Sequence, residues 1–231
     1  MKARIVIVDD HRFLRDLLRR MLIDRAYTIV GEAGDGSEAV SLVVASAPDI
    51  LLLDLMLPEM NGFEVAEKVR VALPAVKIIA LSAIYRAFEF YLAERARFDG
   101  FLDKHDCTAN VLFEAIETVL GGHQYVSAAY LRARMARVRD TSSFDKILTE
   151  REQVVLGLIG LAATDAEIAG VLSVTSRTAE TFRHHIMTKL EIHCSPALVR
   201  FSIENGFVCS AKNLLSRRDD NILATRLEKT P

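Results

Sequence analysis

Five short apolar runs, at residues 5–8, 28–31, 50–53, 77–81 and 100–102, recur through the first half of the chain, separated by segments of a different periodicity. Ile5-Val6-Ile7-Val8 and Ile50-Leu51-Leu52-Leu53 are apolar at every position, so neither strand has a face suited to water. Strands of that kind must be covered on both sides. Between the runs, Phe13, Leu14, Leu17, Leu18, Met21 and Leu22, then Ala39, Val40, Val43 and Val44, then Val65, Ala66 and Val69, follow the spacing of a helix that buries one stripe. The alternation predicts an α/β fold: a doubly wound, five-stranded parallel sheet with helices on both faces.

In open sheets of this class, ligands bind beyond the carboxyl ends of the strands. Asp9 and Asp10 follow the first strand, Asp54 ends the third, Ser82 follows the fourth and Lys104 the fifth. Taken singly, an Asp after a strand serves as a turn or cap residue and a Ser there caps the next helix. Together, the five place three carboxylates, an ammonium and a hydroxyl at one edge. Three carboxylates repel one another unless a cation lies among them, and an all-oxygen donor set selects a hard divalent ion such as magnesium. Asp9, Asp10 and Asp54, with the backbone carbonyl of Met56, form the expected metal site. Lys104 and Ser82 are then placed to bind phosphoryl oxygens, with Asp54 as the phosphoryl acceptor.

The 231 residues suffice for two domains with separate cores, and a net charge of −2 gives no global attraction to nucleic acid or membrane. Any DNA-binding surface must therefore be local. Cys107, Cys194 and Cys209 have no metal-type spacing and read as reduced thiols. The N-terminus runs directly into a strand and no apolar run reaches membrane-spanning length, so the expected location is cytoplasmic.

The alternation stops at Gly121-Gly122. Residues 130–139 read as a short arginine-rich helix, Asp140-Thr141-Ser142-Ser143 as a polar linker, and the segment from Leu148 as four short helices. Thr149 opens a helix with an acidic first turn, Thr164-Asp165-Ala166-Glu167 is a capping box, and Thr175 caps a longer helix carrying Ala179, Phe182, Ile186, Met187 and Leu190 at helical spacing. A short helix, a tight turn and a longer helix make a helix-turn-helix, whose second helix can enter the major groove. Its polar face holds Arg177, Glu180, Thr181, His184 and Thr188. A solvated face is the competing reading, because residues 148–206 carry more acidic than basic side chains. Ser195-Pro196 reads as the cap and first-turn proline of a final helix.

Asp9-Asp10, Asp54 with Pro58 and Gly62, Ser82-Ala83 and Phe101-Leu102-Asp103-Lys104 resemble the flavodoxin-like receiver domain of bacterial two-component response regulators, over residues 1–122. Leu148-Thr149-Glu150-Arg151-Glu152, Glu167-Ile168-Ala169, and Arg177-Thr178 with Glu180, Arg183, Met187, Lys189 and Leu190 are similar to the LuxR-type helix-turn-helix of the NarL/FixJ regulators, over residues 145–207. The resemblance implies a linker with a short helix at 123–144 and leaves a polar tail, 208–231, without a role.

It further implies that a sensor histidine kinase phosphorylates Asp54 with magnesium bound, and that Ser82 and Phe101 form a switch pair. A homodimer would then bind promoter DNA. Glu180, Thr181 and His184 would face base edges, while Thr164, Arg177, Thr178 and Lys189 hold phosphates. The receiver would catalyse only its own phosphorylation and dephosphorylation, so the chain is not read as an enzyme. Three departures stand out: Ser173 in place of a turn glycine, Ala179 in place of a larger aliphatic residue, and Phe182 in place of His. A hydrolase using an aspartate nucleophile would need a second Asp two residues after Asp54, where Met56 stands. The alternative output is a signalling adaptor or phosphate sink whose helical domain binds protein.

Overall fold

The structure, a computed structural model, describes residues 2–83, 87–139, 143–208 and 211. The packing divides the chain into two units. One comprises Met1–Tyr85 with Leu92–Ala136, the other Arg86–Tyr91 with Arg137–Pro231. Most of the expected linker at 140–143 and nearly all of the polar tail lie outside the described residues.

The first unit alternates strands and helices as the periodicity requires. The elements are β1 (Arg4–Val8), α1 (Arg12–Asp24), β2 (Thr28–Ala33), α2 (Gly36–Ser46), β3 (Ile50–Asp54), α3 (Gly62–Ala72), β4 (Lys77–Ser82), α4 (Ala87–Ala96), β5 (Gly100–Asp103), α5 (Ala109–Leu120), β6 (Tyr125–Val126) and α6 (Ala128–Arg139), with Ala87–Tyr91 of α4 and Arg137–Arg139 of α6 assigned to the second unit. All strand pairs are parallel, in the order β2-β1-β3-β4-β5-β6. Ile5, Ile7, Ile50, Leu52 and Ile79 share one buried cluster with Leu18 and Leu22 of α1 and Leu112, Ile116 and Val119 of α5. Val6, Val8, Leu51 and Leu53 alternate with them and are equally buried on the other face.

Among the described residues the sheet has six strands, not the five expected. Gly122, at φ +82°, turns the chain after α5 so that Tyr125 N–H reaches the Asp99 carbonyl and Ser127 N–H the Phe101 carbonyl. A two-residue edge strand is too short to carry a periodicity in the sequence.

The second unit contains α7 (Phe144–Ile147), α8 (Glu150–Gly160), α9 (Asp165–Leu172), α10 (Ser176–Lys189) and α11 (Ser195–Asn205). Val155, Leu156, Leu158, Ile159, Ile168, Ala179, Ile186, Leu198 and Phe207 form its buried interior. Phe88, in the first turn of α4, belongs to this unit and stacks on Phe207 at 4.3 Å between ring centroids. Thr164 makes the expected capping box and Thr175 accepts from Thr178 N–H as the expected cap, while Thr149, expected only to open its helix, makes a full capping box as well. The cap of α11 is displaced by one residue: Cys194 is the N-cap, without a side-chain hydrogen bond, and Ser195 is already helical. Ser173 takes up the left-handed conformation, φ +54°, that ends α9.

Candidate functional site

The sheet register brings the predicted pocket residues to one edge. Val8 lies opposite Leu53, Asp54 opposite Leu81, and Ser82 opposite Asp103, so the residues ending or following these strands converge. Gly62 closes the β3–α3 loop with its N–H on the Leu55 carbonyl. A Cβ on Gly62 would stand 2.3 Å from the Asp54 carbonyl oxygen, so no other residue permits that approach.

Asp9 and Asp54 are almost fully buried, while Asp10 is exposed at the rim. The Lys104 ammonium donates to Asp9 Oδ2 and Asp54 Oδ2, 2.7 Å from each. The remaining oxygens are held by backbone: Asp9 Oδ1 accepts from His11 N–H at 2.9 Å and Asp54 Oδ1 from Met56 N–H at 3.1 Å. Met56 thus meets Asp54 through its amide. Burial pushes the Asp54 pKa up, and the hydrogen bond and charge of Lys104 with the Met56 amide only partly offset that, while Asp9 adds repulsion. For Lys104, burial works against its charge, but the hydrogen bonds and charges of Asp54 and Asp9 prevail and raise its pKa.

Ligand atoms of Asp9, Asp10, His11 and Asp54 all lie within 4.8 Å of one another, a donor set that fits a divalent cation. His11 was not singled out in the sequence, although its place directly after Asp10 was a usable signal. Its Nδ1 lies 2.7 Å from Asp10 Oδ1. Ser82 is wholly buried, and its Oγ is the buried side-chain polar atom without a hydrogen-bond partner among the described residues. Phe101 is buried in β5, with its ring against Tyr130 of α6.

In the second unit, Arg177, Glu180, Thr181 and His184 are exposed on α10 at i, i+3, i+4 and i+7, and so share a face. Arg177 Nη1 lies 3.0 Å from Glu180 Oε2, and Thr181 Oγ1 donates to the Arg177 carbonyl. Thr178, half-buried, supplies the N–H and hydroxyl that meet Thr175 Oγ1 in the cap. Thr164 is committed to its capping box with Glu167. Lys189 lies about 120° around the helix from Arg177, with its ammonium 2.8 Å from Glu152 Oε2. Arg183 is held by Asp165 and the Ala163 carbonyl, which fixes α10 against the start of α9. Ala179 is fully buried, whereas Phe182 is only partly buried beneath the Arg151 guanidinium.

Comparison with known proteins agrees with this geometry. Residues 5–117 match the response regulator receiver domain family and residues 146–202 the luxR family of bacterial regulatory proteins. The transcriptional regulatory protein MctR of Rhizobium johnstonii is 30% identical over 209 residues, covering 90% of this chain and 96% of MctR. A LuxR-family two-component response regulator from Aurantimonas sp. SI85-9A1 superposes with a TM-score of 0.55 at 32% identity, over 60% of this chain and 100% of that one. The RcsB response regulator of Salmonella typhimurium, described for its DNA interaction, gives a TM-score of 0.58 at 19% identity over 87% and 97% of the two chains, which is a likeness of fold. Among the described residues, no helix is long and apolar enough to cross a membrane. A parallel sheet with an acidic pocket at its carboxyl edge, followed by a luxR-family helical unit, makes this chain a member of the two-component response regulators.

Proposed function

We propose that Asp54 is the phosphoryl acceptor of this response regulator and that its phosphorylation controls DNA binding by α10. The observation that carries the reading is the buried Ser82 hydroxyl without a partner among the described residues, beside an ammonium that already bridges two carboxylates. A buried hydroxyl left unsatisfied costs about 1–3 kcal/mol. That cost is recovered when an acceptor oxygen arrives, and a phosphoryl group on Asp54 supplies one.

An Asp54 carboxylate oxygen attacks phosphorus as the bond to the donor breaks, and the donor atom keeps the electron pair. Lys104 follows the new negative charge, moving from the carboxylates toward a phosphoryl oxygen. Asp9, Asp10 and Asp54 would hold magnesium, which when bound neutralises phosphoryl oxygens during transfer. The phosphoryl donor is a sensor histidine kinase, as expected for a receiver. The acyl phosphate is later hydrolysed in the same pocket, and the output of the protein is binding.

On α10, Glu180, Thr181 and His184 read base edges, with Arg177 and Thr178 toward the phosphates and a second copy of the chain reading the second half-site. Thr164 at the start of α9 and Lys189 are the remaining phosphate contacts, and Lys189 must leave Glu152 to serve as one. A protein-binding output is the second reading. It is favoured by the commitment of Arg183 and Lys189 to Asp165 and Glu152, which removes two cations from the DNA-facing charge. Selection from random duplexes at low salt, with and without phosphorylation, separates the two. Enrichment of a two-half-site sequence that strengthens on phosphorylation supports DNA control, and no enrichment in either state supports the protein-binding output.

A further inference from the structure

Phe101 and Tyr130 are both buried, with ring centroids 4.4 Å apart and planes inclined by 36°. The contact is reinforced through the backbone: the Phe101 carbonyl accepts from Ser127 N–H at 2.9 Å, and Ser127 Oγ accepts from Tyr130 N–H at 3.3 Å. One turn further along α6, Arg134 Nε lies 2.7 Å from Glu94 Oε1 on α4. The helix that leads out of the sheet is thus fastened at its start to the residue three positions before Lys104. That residue is also tied to the pocket, because Phe101 pairs with Ala80 in β4 and Lys104 N–H donates to the Ser82 carbonyl.

Beside the two rings lies a cleft of about 490 Å³, lined by Phe98, Phe101, Val126, Tyr130 and Arg134 among others. A Phe101 ring that leaves the interior has this cleft to enter, and Tyr130 forms part of its wall. The two rings cannot both keep their positions once Phe101 swings outward. Close-packed aromatic contacts respond to such changes by switching between discrete arrangements.

We infer that Tyr130 is the positioning residue that couples the Ser82–Phe101 switch to α6, holding that helix on the sheet only while the Phe101 ring is turned inward. The ring is already inward without a phosphoryl group, and phosphorylation, by drawing the Ser82 hydroxyl toward the acyl phosphate, opens space on the inner side of the ring, raises the share of time that it stays there, and thereby tightens α6. The inference rests on Asp54 being the phosphoryl acceptor. It adds a route by which the pocket reaches the segment joining the two units.

The test is hydrogen exchange on the full chain with magnesium, with and without acetyl phosphate, with intact mass and the site of modification read from the same samples. In the wild type, amides of α6 should slow by about fivefold or more on phosphorylation, the low end of ordinary allosteric coupling. Tyr130→Phe should keep that difference and Tyr130→Ala should lose it at equal Asp54 occupancy, while core amides of β1 and β3 stay protected. Unchanged α6 exchange in wild-type protein shown to be phosphorylated on Asp54 overturns the coupling and leaves the acceptor assignment standing. The same holds if Tyr130→Ala retains the full difference. Absence of modification at Asp54 overturns the acceptor assignment and this inference with it. The wild-type comparison decides by itself, whether or not the alanine variant folds.

Discussion

The Lys189 ammonium lies 2.8 Å from the Glu152 carboxylate, which also accepts from the Thr149 backbone N–H and hydroxyl. The pair ties the last turn of α10 to the first turn of α8 and gives Lys189 a structural role. Burial alone would raise the Glu152 pKa, but the hydrogen bond from Lys189, the Thr149 donors and the Lys189 charge outweigh it and hold the pKa below its ordinary value of 4.5. A carboxylate with a lowered folded-state pKa contributes stability that is complete above the unfolded value and is lost as pH falls through the folded one. Glu152→Gln should therefore cost about 1–3 kcal/mol at neutral pH, and the gap to wild type should close as pH falls below 4.5. Chemical denaturation of the full chain at several pH values measures both.

Ser173 ends α9 at φ +54°, a conformation that costs a residue with a Cβ roughly 1–2 kcal/mol. Glycine there removes the strain but adds unfolded-state entropy of about 0.4–1 kcal/mol. Ser173→Gly should thus raise stability by up to about 1.6 kcal/mol, the difference of those two effects. Thermal melting checks it, and a lowered midpoint would show that the Ser173 side chain does more than fill the turn.

Ser82→Ala should separate stability from chemistry. The hydroxyl has no partner among the described residues, so the alanine variant should be at least as stable as wild type by urea titration. Phosphorylation from a small donor should slow by about tenfold, the kinetic equivalent of one lost hydrogen bond of about 1.4 kcal/mol in the transition state. Equal rates would mean that Ser82 does not meet the phosphoryl group.

The pocket was legible because charge interrupts apolar strands at a predictable edge. Asp54 after Leu51-Leu52-Leu53 and Asp9-Asp10 after Ile5-Val6-Ile7-Val8 mark the strand ends and the edge at which the carboxylates meet. The three threonine caps were legible for a similar reason, because each stands directly before an acidic or polar first turn. What escaped depends on long-range packing. β6 is two residues long and forms only because Gly122 returns the chain to β5. Lys189 and Glu152 are 37 residues apart, so only the packing of α10 on α8 reveals the pair. The cap at Cys194 is set by backbone conformation, and Ser195 beside Pro196 suggested it one position late. Tyr130 lies in an arginine-rich helix of weak amphipathic character, where nothing local announces its contact with Phe101.

The phosphoryl acceptor is tested most directly by incubating the full chain with radiolabelled acetyl phosphate and magnesium and locating the label. The account predicts an acid-stable, base-labile acyl phosphate on Asp54 that requires the divalent ion and is absent from Asp54→Asn. Label retained at an undiminished rate in Asp54→Asn, or found on another residue in the wild type, would contradict it.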